Sequence, residues 1–88
     1  MKTLHIIRNP NDTTPLEIAK AQGREHEVAV LLMHDGVYAN PGYDVKNRGF
    51  QLYASASDAL ARGVTGHECV DYRQIAKMLF EYDKVVSW

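Results

Sequence analysis

Apolar and polar positions fall into two kinds of block along this chain. Thr3 to Ile7 is a short run holding Leu4, Ile6 and Ile7, followed by Arg8-Asn9-Pro10-Asn11-Asp12. An apolar run closed by turn residues predicts a buried strand ending near Arg8. Thr14, Pro15 and Glu17 stand in the order of helix cap, first helical position and capping-box acid, and Gly23 stands where the helix would end. These residues predict a helix over about Pro15 to Gln22. Val28 to Met33 is apolar at every position. A strand there has two faces to cover, so it belongs in the middle of a parallel sheet with helices on each side.

The polar stretch from Asn40-Pro41-Gly42 to Asn47 has room for a short helix or an irregular connection. Phe50 to Ala54 predicts a third strand, and Ser55 or Ser57 can cap a helix over Asp58 to Arg62 that Gly63 closes. His67 to Val70 predicts a brief fourth strand. Asp71 and Gln74 then form a capping box ahead of Ile75, Met78, Leu79 and Tyr82, whose i, i+3, i+4, i+7 spacing predicts an amphipathic helix packed on the sheet. Val85-Val86 adds an edge strand or a docked tail. Strands alternating with helices predict one domain over residues 1–88: α/β, with a small, open, mostly parallel sheet and helices on both faces. Such sheets gather ligands beyond the carboxyl ends of their strands. Those ends are Arg8-Asn9, His34-Asp35-Gly36, Ser55-Ala56-Ser57 and Cys69-Val70-Asp71.

Composition narrows the classes of function. At 45% apolar and 24% charged residues the chain can build a core, which excludes a disordered polymer. Ten Lys and Arg against eleven Asp and Glu give a net charge of -1, and the basic residues are scattered. Without a basic stripe to neutralise phosphates, direct nucleic-acid binding is not expected. Val28 to Met33 is the longest apolar run and falls far short of the ~20 residues that span a bilayer, so no membrane association is expected either. Met1-Lys2-Thr3 leads straight into a strand rather than a signal peptide, and the single cysteine, Cys69, excludes an intrachain disulfide. Both point to the reducing cytoplasm.

Four stretches, taken in order, resemble a known family. They are Leu4-His5-Ile6-Ile7-Arg8-Asn9-Pro10; Leu31-Leu32-Met33-His34-Asp35-Gly36-Val37; Leu52-Tyr53-Ala54 with Asp58-Ala59-Leu60-Ala61-Arg62-Gly63; and Val70-Asp71-Tyr72 through Trp88. Together they resemble the DsrH/TusB-like subunits of the DsrE/DsrF/DsrH (TusD/TusC/TusB) sulfur-relay proteins over nearly the whole chain. The resemblance implies a flavodoxin-like three-layer fold, no cofactor, and assembly with like-folded DsrE/DsrF (TusD/TusC)-type subunits or as a homo-oligomer. It also implies a DsrC/TusE-type sulfur acceptor as a further partner. The process implied is passage of protein persulfide towards 2-thiolation of the tRNA wobble uridine or within dissimilatory sulfur metabolism. In sulfur-carrying sister subunits the persulfide cysteine follows the third strand, and that position falls at about Ser55 here. A serine cannot hold a persulfide, and Lys20, Ala21 and Gln22 occupy the neighbourhood of the other carrier cysteine. The resemblance therefore implies a supporting subunit, with no enzymatic activity expected of it alone.

The residues also admit other readings. Cys69 with His67 as base would make a thiol-dependent sulfurtransferase, whereas a small buried hydrophobe is the plainer account of that cysteine. His34, Asp35, His67 and Cys69 are zinc-ligand types but match no established spacing, so no metal is expected. Asp35 is expected to cap the loop through its carboxylate and Gly36 to supply a positive φ. A homo-oligomer that binds a small anion at the helix starts near Ser55 and Asp71 is a third class of function. His5 is expected to be a packed or interface histidine, and His26 a solvated one. Tyr38, Tyr43, Phe50, Tyr53, Tyr72 and Trp88 suit either the core or an interface, with Tyr53 and Trp88 the interface candidates. Asp58–Arg62 and Lys77–Glu81 are expected as exposed helical pairs that support their helices and carry no function.

Overall fold

Strand β2 (Glu27–Leu32) is buried at every position from Val28 onward, and the sheet is built outwards from it. The computed structural model describes residues 1–39 and 49–88; the polar connection from Asn40 to Asn47, with Tyr43, lies outside the described residues. On one side of β2 runs β1 (Lys2–Ile7), and beyond it β5 (Lys84–Ser87). On the other side runs β3 (Gln51–Ser55), and beyond it β4 (Cys69–Val70). The five strands lie in the order β4-β3-β2-β1-β5, and every neighbouring pair is parallel. The all-apolar run is thus the central strand. Val85-Val86 belongs to an edge strand, not to a tail.

Period-two alternation along the strands sorts the core into two layers. Ile7, Val28, Val30, Leu32, Leu52 and Ala54 pack with Leu16 and Ala19 of α1 (Thr14–Gln22) and with Val37. Leu4, Ile6, Ala29, Leu31 and Val70 pack on the opposite face with Ile75, Met78 and Tyr82, the first two from α3 (Tyr72–Glu81) and Tyr82 its C-cap. Each fully buried Val, Leu or Ile contributes roughly 1.5–3 kcal/mol by leaving water. The chain steps from β1 through β4 in one direction and then returns across the whole sheet to β5. A right-handed return crossover must lie on the face opposite to α1, which is where α3 is found.

The helix ends differ from expectation in instructive ways. Thr13, not Thr14, is the cap of α1, and it makes no side-chain capping bond. The Asp12 carboxylate instead accepts from the Thr14 backbone N–H at 3.0 Å, so an Asx turn does the work the capping box was expected to do. α2 (Ala56–Arg62) begins at Ser55 and ends on Gly63 in the left-handed region, as the glycine's position predicts. The Asp71–Gln74 capping box on α3 is present in both directions. Leu79, expected on the packed face of that helix, is exposed.

The loop after β2 is a 3-10 turn over His34–Tyr38, and the positive φ falls on His34 at 52°, not on Gly36. Gly36 is required for a different reason. A Cβ there would lie 2.2 Å from the carbonyl oxygen of Ile7, so only a bare Cα lets the turn cross the end of β1. Gly36→Ala is expected to lower stability by about 1–3 kcal/mol through this overpacking, read as a lower urea midpoint at unchanged slope.

Candidate functional site

Parallel strands deliver their following residues to one end of the sheet, and here two of those ends meet. The loop after β2 brings His34 and Asp35, and the end of β3 brings Ser55, Ser57 and Asp58 at the start of α2. Their common partner is Asp58. Its carboxylate accepts from the His34 backbone N–H and from the Ser55 hydroxyl, and it receives the Arg62 guanidinium at 3.3 Å. Arg62 also donates through Nε to Asp35 at 2.9 Å. The Asp58–Arg62 pair, expected to be an exposed helical pair without function, is half-buried and ties the exits of two adjacent strands together.

This junction holds His34 where a side-chain-bearing residue seldom goes, at a cost of roughly 1–2 kcal/mol. The hydrogen bond to Asp58 keeps it there. Asp35 meets Arg62 and does not cap its own loop, which corrects the expected role of its carboxylate. Ser55 is 3% exposed, and its hydroxyl also lies 3.3 Å from that of Ser57. The signal for the junction was present in the chain: Ser55 and Asp58 stand in S-x-x-D spacing, a helix-start signature. Its unexpected feature is that the two side chains bond each other and Ser55 makes no side-chain capping bond to the backbone.

Cys69 and His67 are not brought together as thiol and base. A carbonyl can only accept, so His67 Nε2 carries the proton and donates to the Val37 carbonyl at 2.9 Å. The Cys69 thiol lies 3.7 Å from the His67 carbonyl oxygen, a weak bond at best. Cys69 is exposed at the sheet edge, which corrects its reading as a buried hydrophobe. It opens into a groove of about 340 Å³ under α3, whose wall includes Tyr53, Lys77, Met78 and Tyr82. Burial raises the Tyr82 phenol above its ordinary value. Tyr53 is half-buried beneath α3, and Trp88 lies beyond β5 against β1.

Among the described residues no three His, Cys, Asp or Glu side chains come together in a way that could hold a metal ion, so His34, Asp35, His67 and Cys69 do not form the zinc set drawn above. The helix starts offer little to a small anion. Asp71 already satisfies the first turn of α3, and Asp58 places a carboxylate in the first turn of α2. No described helix is long and apolar enough to cross a membrane.

The His34 N–H, before any other cause, holds the Asp58 carboxyl below its ordinary value of 3.8. A carboxyl lowered on folding stabilises the fold above its unfolded value, and that contribution is lost as the pH falls through the lower folded value. Asp58→Asn is therefore expected to cost about 1–2 kcal/mol at neutral pH. Urea midpoints of wild type and variant are expected to converge on acidification; a constant gap would contradict the role of the charge. No protein-family model matches this chain, and no curated protein matches it.

Proposed function

We propose that this chain is a supporting subunit of a sulfur-relay assembly of the DsrE/DsrF/DsrH (TusD/TusC/TusB) kind. It acts in the cytoplasm, alongside subunits that carry protein persulfide for tRNA wobble-uridine 2-thiolation or dissimilatory sulfur metabolism. Ser55 carries this reading. The end of β3 and the start of α2 is where the resemblance puts the carrier cysteine of sister subunits, and a buried serine stands there. A hydroxyl forms no persulfide. The adjacent Asp58 carboxylate would also disfavour a thiolate, so the surroundings as well as the residue are those of a non-carrier.

The helix on the opposite face supports the subunit role. Its apolar residues span more than the sheet can cover: Ile75 and Met78 face inward, while Tyr72 and Phe80 are 88% and 92% exposed and Leu79 is also exposed. Tyr72, Ala76 and Phe80 follow i, i+4, i+8 and form one strip, as expected of a helix that meets a partner. Like-folded subunits are the partners this reading requires, with a DsrC/TusE-type protein as acceptor. The second reading, a sulfurtransferase working through Cys69, is favoured by one observation, the exposure of that thiol in the groove under α3.

Gentle purification of the tagged chain from its native source, followed by native mass spectrometry, tests the proposal. A complex with like-folded α/β subunits is expected, one of them bearing persulfide, and Phe80→Glu is expected to weaken recovery about tenfold, or ~1.4 kcal/mol. Recovery of the chain as a monomer under those conditions would contradict the proposal.

A further inference from the structure

His5 lies on β1, facing α1, and is 1% exposed. Both of its ring nitrogens are engaged. Trp88 Nε1 donates to Nδ1 at 3.0 Å, and Nε2 lies 2.7 Å from the Gln22 side-chain oxygen on α1. An indole N–H can only donate and an amide oxygen can only accept, so Nδ1 is bare and the proton sits on Nε2. The pair fixes one neutral tautomer. Trp88, itself 40% exposed, covers His5 with its ring centroid 6.1 Å from the imidazole.

We propose that the His5–Trp88 contact is a proton-operated latch: protonation of Nδ1 releases the Trp88 indole from β1 and opens the surface above His5. A proton on Nδ1 sets two donors against each other and leaves the indole N–H without an acceptor. It also places a full charge in a closed site. A cation can be held by the face of an indole, but here the imidazole meets the N–H edge, which is the positive edge of the ring system. The latch therefore has no favourable closed form once His5 is charged. Hydration on opening is the remaining outlet.

Neighbouring groups do not take over the proton's role. The Gln22 amide from α1 and the Trp88 indole meet the ring, Val30 of β2 and Val86 of β5 are the register partners of His5, and none of these side chains titrates. The charged groups on the same elements are engaged or lie elsewhere. Arg8 donates to the Ser87 hydroxyl and, at 3.3 Å, to the Trp88 carbonyl. Lys2 meets Glu27 and, through its backbone N–H, Asp83. Lys84 stands at the start of β5, and Glu17 and Lys20 on α1. Arg8 and the Trp88 backbone N–H, which bonds the Ile6 carbonyl at 2.9 Å, hold the main chain independently of His5. The part that moves is the indole ring.

Trp88 is the single tryptophan, so its emission reports this contact alone. The experiment follows acrylamide quenching of Trp88 in the full chain from about pH 8 to about pH 5, the span in which histidine changes charge, and reads the His5 ring by NMR. Quenching is expected to rise about twofold with the His5 titration while the far-UV circular dichroism stays constant. In His5→Gln the amide oxygen still accepts from the indole at every pH, so quenching is expected to stay flat. The proposal is overturned by quenching that does not change as the His5 ring protonates, by an equal rise in His5→Gln, or by a ring that stays neutral until the protein unfolds. Should His5→Gln fail to fold, the wild-type NMR and quenching curves decide by their coincidence or lack of it.

Discussion

β2 has no polar face. A strand of that kind is stable only with a hydrogen-bonded neighbour on each edge and an apolar layer on each side, and the rest of the architecture meets those four demands. β1 and β3 supply the edges. Leu16 and Ala19 of α1 cover one face, and Met78 of α3 with its neighbours covers the other. Among the described helices α3 alone packs on that second face, on the way from β4 to β5. The same helix then presents more apolar surface than the sheet can take up, which leaves Tyr72 and Phe80 in solvent.

Parallel pairing also decides where polar residues collect. The exits of β2 and β3 lie side by side, and one carboxylate, Asp58, bonds to both. Its bonds run to a strained His34, to the buried Ser55 and to Arg62, which reaches on to Asp35. The group at the start of α2 is thus tied by its neighbours, with Ser55 buried and His34, Asp35 and Ser57 open to solvent. Towards β1 and β5, by contrast, Arg8 holds the Trp88 main chain while the indole N–H donates to the His5 imidazole. The two places differ in kind: the first is a network of charged groups, the second a hydrogen bond between an indole and an imidazole.

Much of this was legible in the chain because it rests on local chemistry. The all-apolar Val28 to Met33 run identified the central strand, Asp71 with Gln74 the start of α3, and Gly63 the end of α2. What was not legible depends on contacts between distant segments. Gly36 is needed because the Ile7 backbone crosses it, a fact no turn propensity contains. The positive φ on His34 is held from Asp58, twenty-four positions further on. Cys69 read as buried because free cysteine most often sits as a small hydrophobe in such a strand; a strand of two residues at the sheet edge leaves the thiol in solvent. His5 with Gln22 and Trp88 joins three elements, and neither spacing nor composition links them.

The role proposed for the chain turns on whether it stores sulfur. Loading the isolated protein with isotopically labelled sulfane sulfur from a persulfide donor, then locating the label by mass spectrometry under non-reducing conditions, measures this directly. A supporting subunit is expected to remain unlabelled at Cys69 while a control protein with an exposed reactive thiol is loaded in the same vessel. Stoichiometric label on Cys69, passed on to an acceptor thiol and abolished by Cys69→Ser, would contradict the account.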